Sequence, residues 1–383
     1  MVLETEMRPI NFMELLPGRS RSFAQPGNLQ LLQDLGADWG KRHLLCGLLA
    51  IAFAFGAGAQ SQNRQLESLI HDGQNDLDAR DFASAVSTFE WATQIAPDNL
   101  EANRGLLLSY LQAQRLSAAE NAGRSAIAHW PKDAQLQHWL GLVYFKGGQN
   151  ASALERLRSA ENLDGTRFDI HFDVALVLLS EDQYPAAADE LQKAIKLDPK
   201  AAMAHVLLGR CYQNTNRTVQ AIEQFQTALR LDPDIPLGHY HLGFAYASLG
   251  HNHEAIAEYE KEMTHSPDNP SVLYQLGHCL LEAGDWKSAT AHLKRAVEVG
   301  LQNSDAAYDL GKVLLLEGDA EAAVPALRHA VQLKPADPGA HYQLARALEK
   351  MGRKEEAQQE FQTFAALKKS QPVTGGMAAG PTQ

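Results

Sequence analysis

The residues best suited to chemistry in this chain are its 15 histidines and 3 cysteines. His239/His241 and His251/His253 are close enough in sequence to suggest a metal pair. Yet His171, His205 and His239 follow one another at intervals of 34 residues. If that interval is one structural unit, the rings are a unit apart and cannot share an ion at bond lengths of ~2 Å. The expectation is therefore structural or solvent-exposed histidine, with no metal site. Cys211 and Cys279 are two such intervals apart, beyond the roughly 7 Å Cα limit of a disulfide, and read as small packed hydrophobes. A phosphate-binding glycine loop, H-E-x-x-H, G-x-S-x-G and C-x-x-C are all absent. What remains is the chemistry of binding. Tyr240, Tyr274, Tyr308 and Tyr342 form a ladder at the same interval, beside the basic residues Arg210, His278, Lys312 and Arg346. Further towards the N-terminus, Leu108, Leu142 and Leu176 repeat in step, each followed three residues later by Leu111, Phe145 or Leu179.

The composition limits what these residues serve. The chain has 383 residues, 45% of them hydrophobic, and a formal net charge of −12. That apolar fraction is enough for a folded protein. Three cysteines cannot build a disulfide framework. An acidic balance argues against general affinity for nucleic acid or anionic lipid, which need a basic footprint.

The interval that organises the tyrosines also organises everything around them. Pro97, Pro131, Pro199, Pro233, Pro267 and Pro335 are spaced by 34 residues or twice that, and the two vacant phases fall at Gly165 and Leu301. Laid out from Leu66, the chain gives nine rows without insertion or deletion: 66–99, 100–133, 134–167, 168–201, 202–235, 236–269, 270–303, 304–337 and 338–371. Position 20 of every row is alanine, from Ala85 to Ala357. Position 8 is glycine in six rows, with Leu107, Ala175 and Ala345 departing from it. This pattern resembles the tetratricopeptide repeat, a helix–turn–helix unit of 34 residues with small residues near positions 8 and 20 and proline near 32. The resemblance covers about four fifths of the chain. The family's tryptophan at position 4 is missing; His171, His205, His239 and His341 stand there in four rows.

The resemblance implies an all-α fold, a right-handed superhelical solenoid in which each pair buries its apolar face against its neighbours. The local signals agree. Val272, Leu273, Leu276, Leu280 and Leu281 recur at helical spacing. Asn269 and Asp337 are placed to cap first helices, with Pro270 and Pro338 at the tolerated first position. Gly148, Gly250, Gly284, Gly318 and Gly352 are placed to end them in a left-handed residue. Pro325 falls inside a second helix and is expected to bend it. Row nine closes the array with a polar second helix, and residues 372–383, rich in Gly, Pro and Ala, are expected to be disordered.

Residues 44–59 read LLCGLLAIAFAFGAGA, preceded by Lys41, Arg42 and His43 and closed by Ala57-Gly58-Ala59. A basic segment, a short apolar run and small residues describe a secretory signal. Sixteen apolar or small residues fall short of the roughly 20 needed to span a bilayer, although an uncleaved anchor stays open. The preceding 1–43 segment is long for such a signal and is expected to be disordered. It leaves the translation start open, although no Met lies between Met13 and Met203.

In tetratricopeptide arrays the concave face is lined by first-helix positions 2, 5, 9, 12 and 13. The resemblance therefore places Leu108, Leu142, Leu176 and Phe145 in an apolar N-terminal stretch of groove. Tyr240, Tyr274, Tyr308, Tyr342, Arg210, His278, Lys312 and Arg346 fall in an aromatic and basic C-terminal stretch. Such a groove suits an extended or helical peptide whose apolar segment is followed by acidic residues. The basic and asparagine pattern of the family's clamp for C-terminal carboxylates is absent, so co-chaperone activity is not implied. The function expected is a non-catalytic protein-interaction scaffold, exported to the bacterial cell envelope and needing no cofactor. Two alternatives differ in class: a substrate-recruiting accessory subunit of a separate envelope enzyme or secretion machine, and an enzyme acting through its histidines.

Overall fold

Each row folds as two packed helices, A and B, because a single apolar stripe at helical spacing must find a partner surface. The computed structural model describes residues 60–300 and 302–370. The chain divides into two units, Met1–Asn63 and Arg64–Gln383; only 60–63 of the first are described, and they open the first helix. Rows one to three hold α1 (60–78) and α2 (Phe82–Ile95), α3 (Leu100–Gln112) and α4 (Leu116–His129), then α5 (Ala134–Lys146) and α6 (Asn150–Leu163). Rows four to six hold α7 (Phe168–Ser180) and α8 (Tyr184–Leu197), α9 (Ala202–Asn214) and α10 (Thr218–Leu231), then α11 (Gly238–Ser248) and α12 (Asn252–His265). Rows seven to nine hold α13 (Pro270–Ala283) and α14 (Trp286–Glu298), α15 (Ser304–Glu317) and α16 (Ala320–Leu333), then α17 (Pro338–Lys350) and α18 (Lys354–Ser370). No helix among the described residues is long and apolar enough to cross a membrane. The signal-like run at 44–59 and the tail from 371 lie outside the described residues.

The stacking makes the second unit an all-α, right-handed superhelical solenoid. From α2 onward, A packs on B within each row and B packs on the next A. Consecutive A helices also touch, as in α3–α5, α9–α11, α13–α15 and α15–α17. Helices that meet their counterparts in the next row lie on the inner curve, so the A helices line the concave side.

The A–B seam shows why the small residues recur. Glycine at position 8 leaves room for the large side chain at position 24 of the same row. A Cβ built on Gly209 would lie 2.5 Å from the Phe225 ring, and one on Gly311 would lie 2.3 Å from Leu327. Row two reverses the pair. There Leu107 fills position 8, fully buried, while Gly123 takes position 24, where a Cβ would lie 3.2 Å from Leu107. The nine alanines at position 20 are all buried, where a larger side chain would force the helices apart.

The A–B turn is equally regular. Position 15 has positive φ in all nine rows. The five expected glycines adopt it, and so do Arg80, Gln114, Asp182 and Asn216. The turn geometry thus prevails over residue preference, at roughly 1–2 kcal/mol for each side chain so placed. Asn269 and Asp337 cap their helices as expected, accepting from Val272 N and Gly339 N. α16 continues through Pro325. Row six is the irregular one: Leu237 is left-handed and α11 begins only at Gly238, without a side-chain N-cap. Glu262, buried where seven rows carry alanine at position 27, instead accepts from the backbone N–H of Tyr240 at 3.2 Å.

Candidate functional site

Three of the four position-4 histidines join rows together. His171 Nε2 donates to the Gly165 carbonyl at 3.0 Å, His205 Nε2 to Pro199 at 3.3 Å, and His341 Nε2 to Pro335 at 3.0 Å. Each carbonyl belongs to position 32 of the row before. Asn103 and Gln137, also at position 4, reach Pro97 and Pro131 in the same way. The histidine Nδ1 atoms face position 23 of their own row. His171 meets Glu190 at 2.8 Å, His205 meets Gln224 at 2.8 Å, His239 meets Glu258 at 2.6 Å and His341 meets Glu360 at 2.5 Å. The side chain that replaces the family's tryptophan thus satisfies a carbonyl left open at the end of helix B.

One of these histidines belongs to a cluster that the sequence does not single out. Ligand atoms of Glu161, His171 and Glu190 lie within 4.8 Å of one another. Both carboxylates are already engaged: Arg158 bonds each at 2.5 Å, and Lys193 reaches them at 3.0 and 3.1 Å. Burial alone would push the Glu190 carboxyl up, but hydrogen bonds from Arg158, His171 and Lys193 outweigh it and hold it below the usual range. The arrangement is an ion network joining α6 to α8, with Arg158 and Lys193 each bound to both carboxylates. His239 stacks against His265 at 6.4 Å, His241 on Phe225 at 5.5 Å and His251 on Tyr246 at 6.3 Å. Cys211 and Cys279 are buried and free, and burial pushes their thiols up, to about 12 and about 11.

The expected groove residues stand on the A helices. Leu108, Leu142, Leu176 and Phe145 are half-buried, whereas Leu111 and Leu179 belong to the core. Tyr240, Tyr274 and Tyr308 are half-buried and Tyr342 is 39% exposed. The Tyr240 ring lies 6.0 Å from Tyr259, and Tyr274 lies 6.0 Å from His278. Tyr342 packs on Phe361 and Phe364 at 6.0 and 5.2 Å, with Arg346 over its face at 5.9 Å.

The basic line differs from its sequence reading, because two of its members already have acids. His278 Nδ1 meets Asp309 at 2.8 Å, and Lys312 meets Glu282 at 3.1 Å. The Asp309 hydrogen bond raises the His278 imidazole against the opposing effect of burial. The acids come from positions 6 and 13 of a neighbouring row, and comparing those columns across rows was the signal available. Position 6 also supplies Trp139, Leu207 and His241, and Asp173, which meets buried His138 at 2.6 Å.

The geometry can be compared with known proteins. Tetratricopeptide repeat profiles match residues 73–134, 108–167 and 274–341, residues 178–241 and 314–372, and residues 238–264. No curated protein matches the sequence. Among solved structures, the APC/C hetero-tetramer Cut9-Hcn1 is similar at 16% identity and a TM-score of 0.50, covering 70% of this chain and 52% of that one. This chain therefore spans about half the length of that relative. pilF from Pseudomonas aeruginosa is similar at 21% identity and a TM-score of 0.49, over 54% of this chain and 94% of that one. YrrB, described as a TPR protein with an unusual peptide-binding site, is similar at 22% identity and a TM-score of 0.44, over 49% and 96%. At 16% identity the Cut9-Hcn1 likeness speaks to the fold alone, whereas the profiles and the repeat register account for nearly every described row: the chain belongs to the tetratricopeptide repeat family.

Proposed function

We propose that this protein is a non-catalytic scaffold whose A helices hold an extended or helical peptide segment of another protein, and that it works in the bacterial cell envelope. As a tetratricopeptide array it is a protein-interaction scaffold; the groove, the peptide and the compartment are the finer reading. The observation that carries the groove is the tyrosine ladder. Tyr240, Tyr274, Tyr308 and Tyr342 stand on four consecutive A helices, and none of the four is fully buried. Rigid amphipathic rings at regular spacing give contact area at little entropic cost. The half-buried Leu108, Leu142, Leu176 and Phe145 offer an apolar seat for the preceding part of the peptide. The compartment rests on the basic and apolar segment at 41–59.

The test is capture from an envelope extract by wild type and by Lys312→Glu/Arg346→Glu. The double variant should recover less of a partner, and the deficit should be greater at low salt. Equal recovery, or a loss indifferent to salt, would remove the groove reading. Export is tested separately by fusing residues 1–65 to a reporter active only outside the cytoplasm; an inactive fusion would refute it.

A further inference from the structure

Building on that groove reading, we propose that Arg210, with the His241 and Gln213 side chains beside it, forms a carboxylate-binding subsite at the row five–six junction. Its ligand would be a glutamate or aspartate of the bound peptide. The repeat register carries the inference, because it shows what the array does with its other groove cations. Each cation at position 9 has two places from which an acid can reach it: position 6 of the next row and position 13 of the row before. His278 uses the first, pairing with Asp309 at 2.8 Å, and Lys312 uses the second, pairing with Glu282 at 3.1 Å.

For Arg210 the corresponding residues are His241 and Ser180, and neither carries a negative charge. No carboxylate lies within ion-pairing distance of Arg210 among the described residues. Arg346 also lacks an acid, but it is exposed, covers the Tyr342 ring and donates to Gln343, whereas Arg210 is a half-buried guanidinium without an acid. Its neighbour adds no opposing charge: burial, and after it the field of Arg210, push the His241 imidazole down to about 3, so it stays neutral. One helical turn beyond Arg210, the Gln213 Nε2 is buried without a hydrogen-bond partner. A guanidinium and an amide donor, both lacking acceptors on one face of α9, match the acceptor-only carboxylate. Tyr240 borders the site, its ring 5.5 Å from that of His241.

The experiment uses the full chain and two synthetic 16-residue peptides that share an apolar first half. One carries glutamates in its second half and the other carries glutamines at the same places. Affinities are read by fluorescence anisotropy at low salt. Wild type should bind the glutamate peptide at least about tenfold more tightly. Arg210→Gln should erase that preference, by bringing the glutamate peptide's affinity down to that of the glutamine peptide. His241→Asp supplies the acid that row eight supplies to His278, and should erase the preference with Arg210 still present. Helix content and melting temperature confirm that both variants fold. If wild type binds both peptides equally, or if Arg210→Gln keeps the preference, the subsite is wrong and the groove stands. If neither peptide binds, the groove reading fails and the subsite with it.

Discussion

Rows two to four and rows five to nine share one backbone plan but place their charges differently. In the earlier rows the ion network of Arg158, Glu161, His171, Glu190 and Lys193 joins α6, α7 and α8. The residues expected in the groove there are apolar. In the later rows the cations expected in the groove, Arg210, His278, Lys312 and Arg346, stand on the A helices, with Glu282 and Asp309 beside two of them. A solenoid can divide its labour in this way because each row contacts only its neighbours, so polarity moves from one face to another without disturbing the seam. The seam itself varies locally too: row two exchanges the glycine and the leucine that other rows hold at positions 8 and 24.

The largest test of this comparison is in the seam. Leu107→Gly should cost about 4 kcal/mol, from the lost buried side chain and from glycine within a helix. Gly123→Leu alone should be destabilising by overpacking. The double substitution should recover most of the loss, by restoring the arrangement of the other rows; denaturant melts of all three check this. If the double variant is no better than the singles, the exchange is not compensatory. Ala221→Phe in row five should cost about 3 kcal/mol, because the position is fully buried and has no side chain to yield. An unchanged thermal melt would contradict that packing.

A smaller effect separates the two charge placements. Glu190→Ala should cost about 2 kcal/mol, less than loss of a fully buried partner because Arg158 and Lys193 remain part-exposed. The hydrogen bonds within the network hold Glu161 and Glu190 below their ordinary value. Their contribution is therefore present above that value and lost as pH falls through the lowered one. Acid melts of wild type against Glu190→Gln read this difference. His278 has the opposite sign. It is raised by the Asp309 hydrogen bond, so its contribution is present below the ordinary imidazole value and lost as pH rises through the raised one. NMR titration should find its midpoint lowered in Asp309→Asn. The smallest expected change is a gain: Gln114→Gly, at a left-handed position, should stabilise the chain by about 1 kcal/mol. A destabilised variant would mean that the turn is not as strained as its φ implies.

The row boundaries, the seam alanines and the helix-ending glycines were legible because each is a local requirement, met afresh every 34 residues. The position-4 histidines were legible as periodic but not as bonded. The position-32 carbonyl becomes a neighbour only when one row lies against the next, and the position-23 side chain only when helix B folds back on helix A of the same row. The same limit applied to the groove. Position 9 could be read as a line of cations, yet Asp309 and Glu282 neutralise two of them from adjacent rows.

What the sequence by itself determined is therefore everything with the period of the repeat: an all-α array of nine helix pairs, the small residues at its seam and the turns at a fixed phase between its helices. Only the stacked structure decided which charges are balanced, which glycine faces which ring, and why Glu262 is buried against the start of α11. The reason is one of distance. Helical periodicity is written between residues three and four apart, whereas ion pairing depends on contacts between rows, and their geometry exists only once the rows are packed.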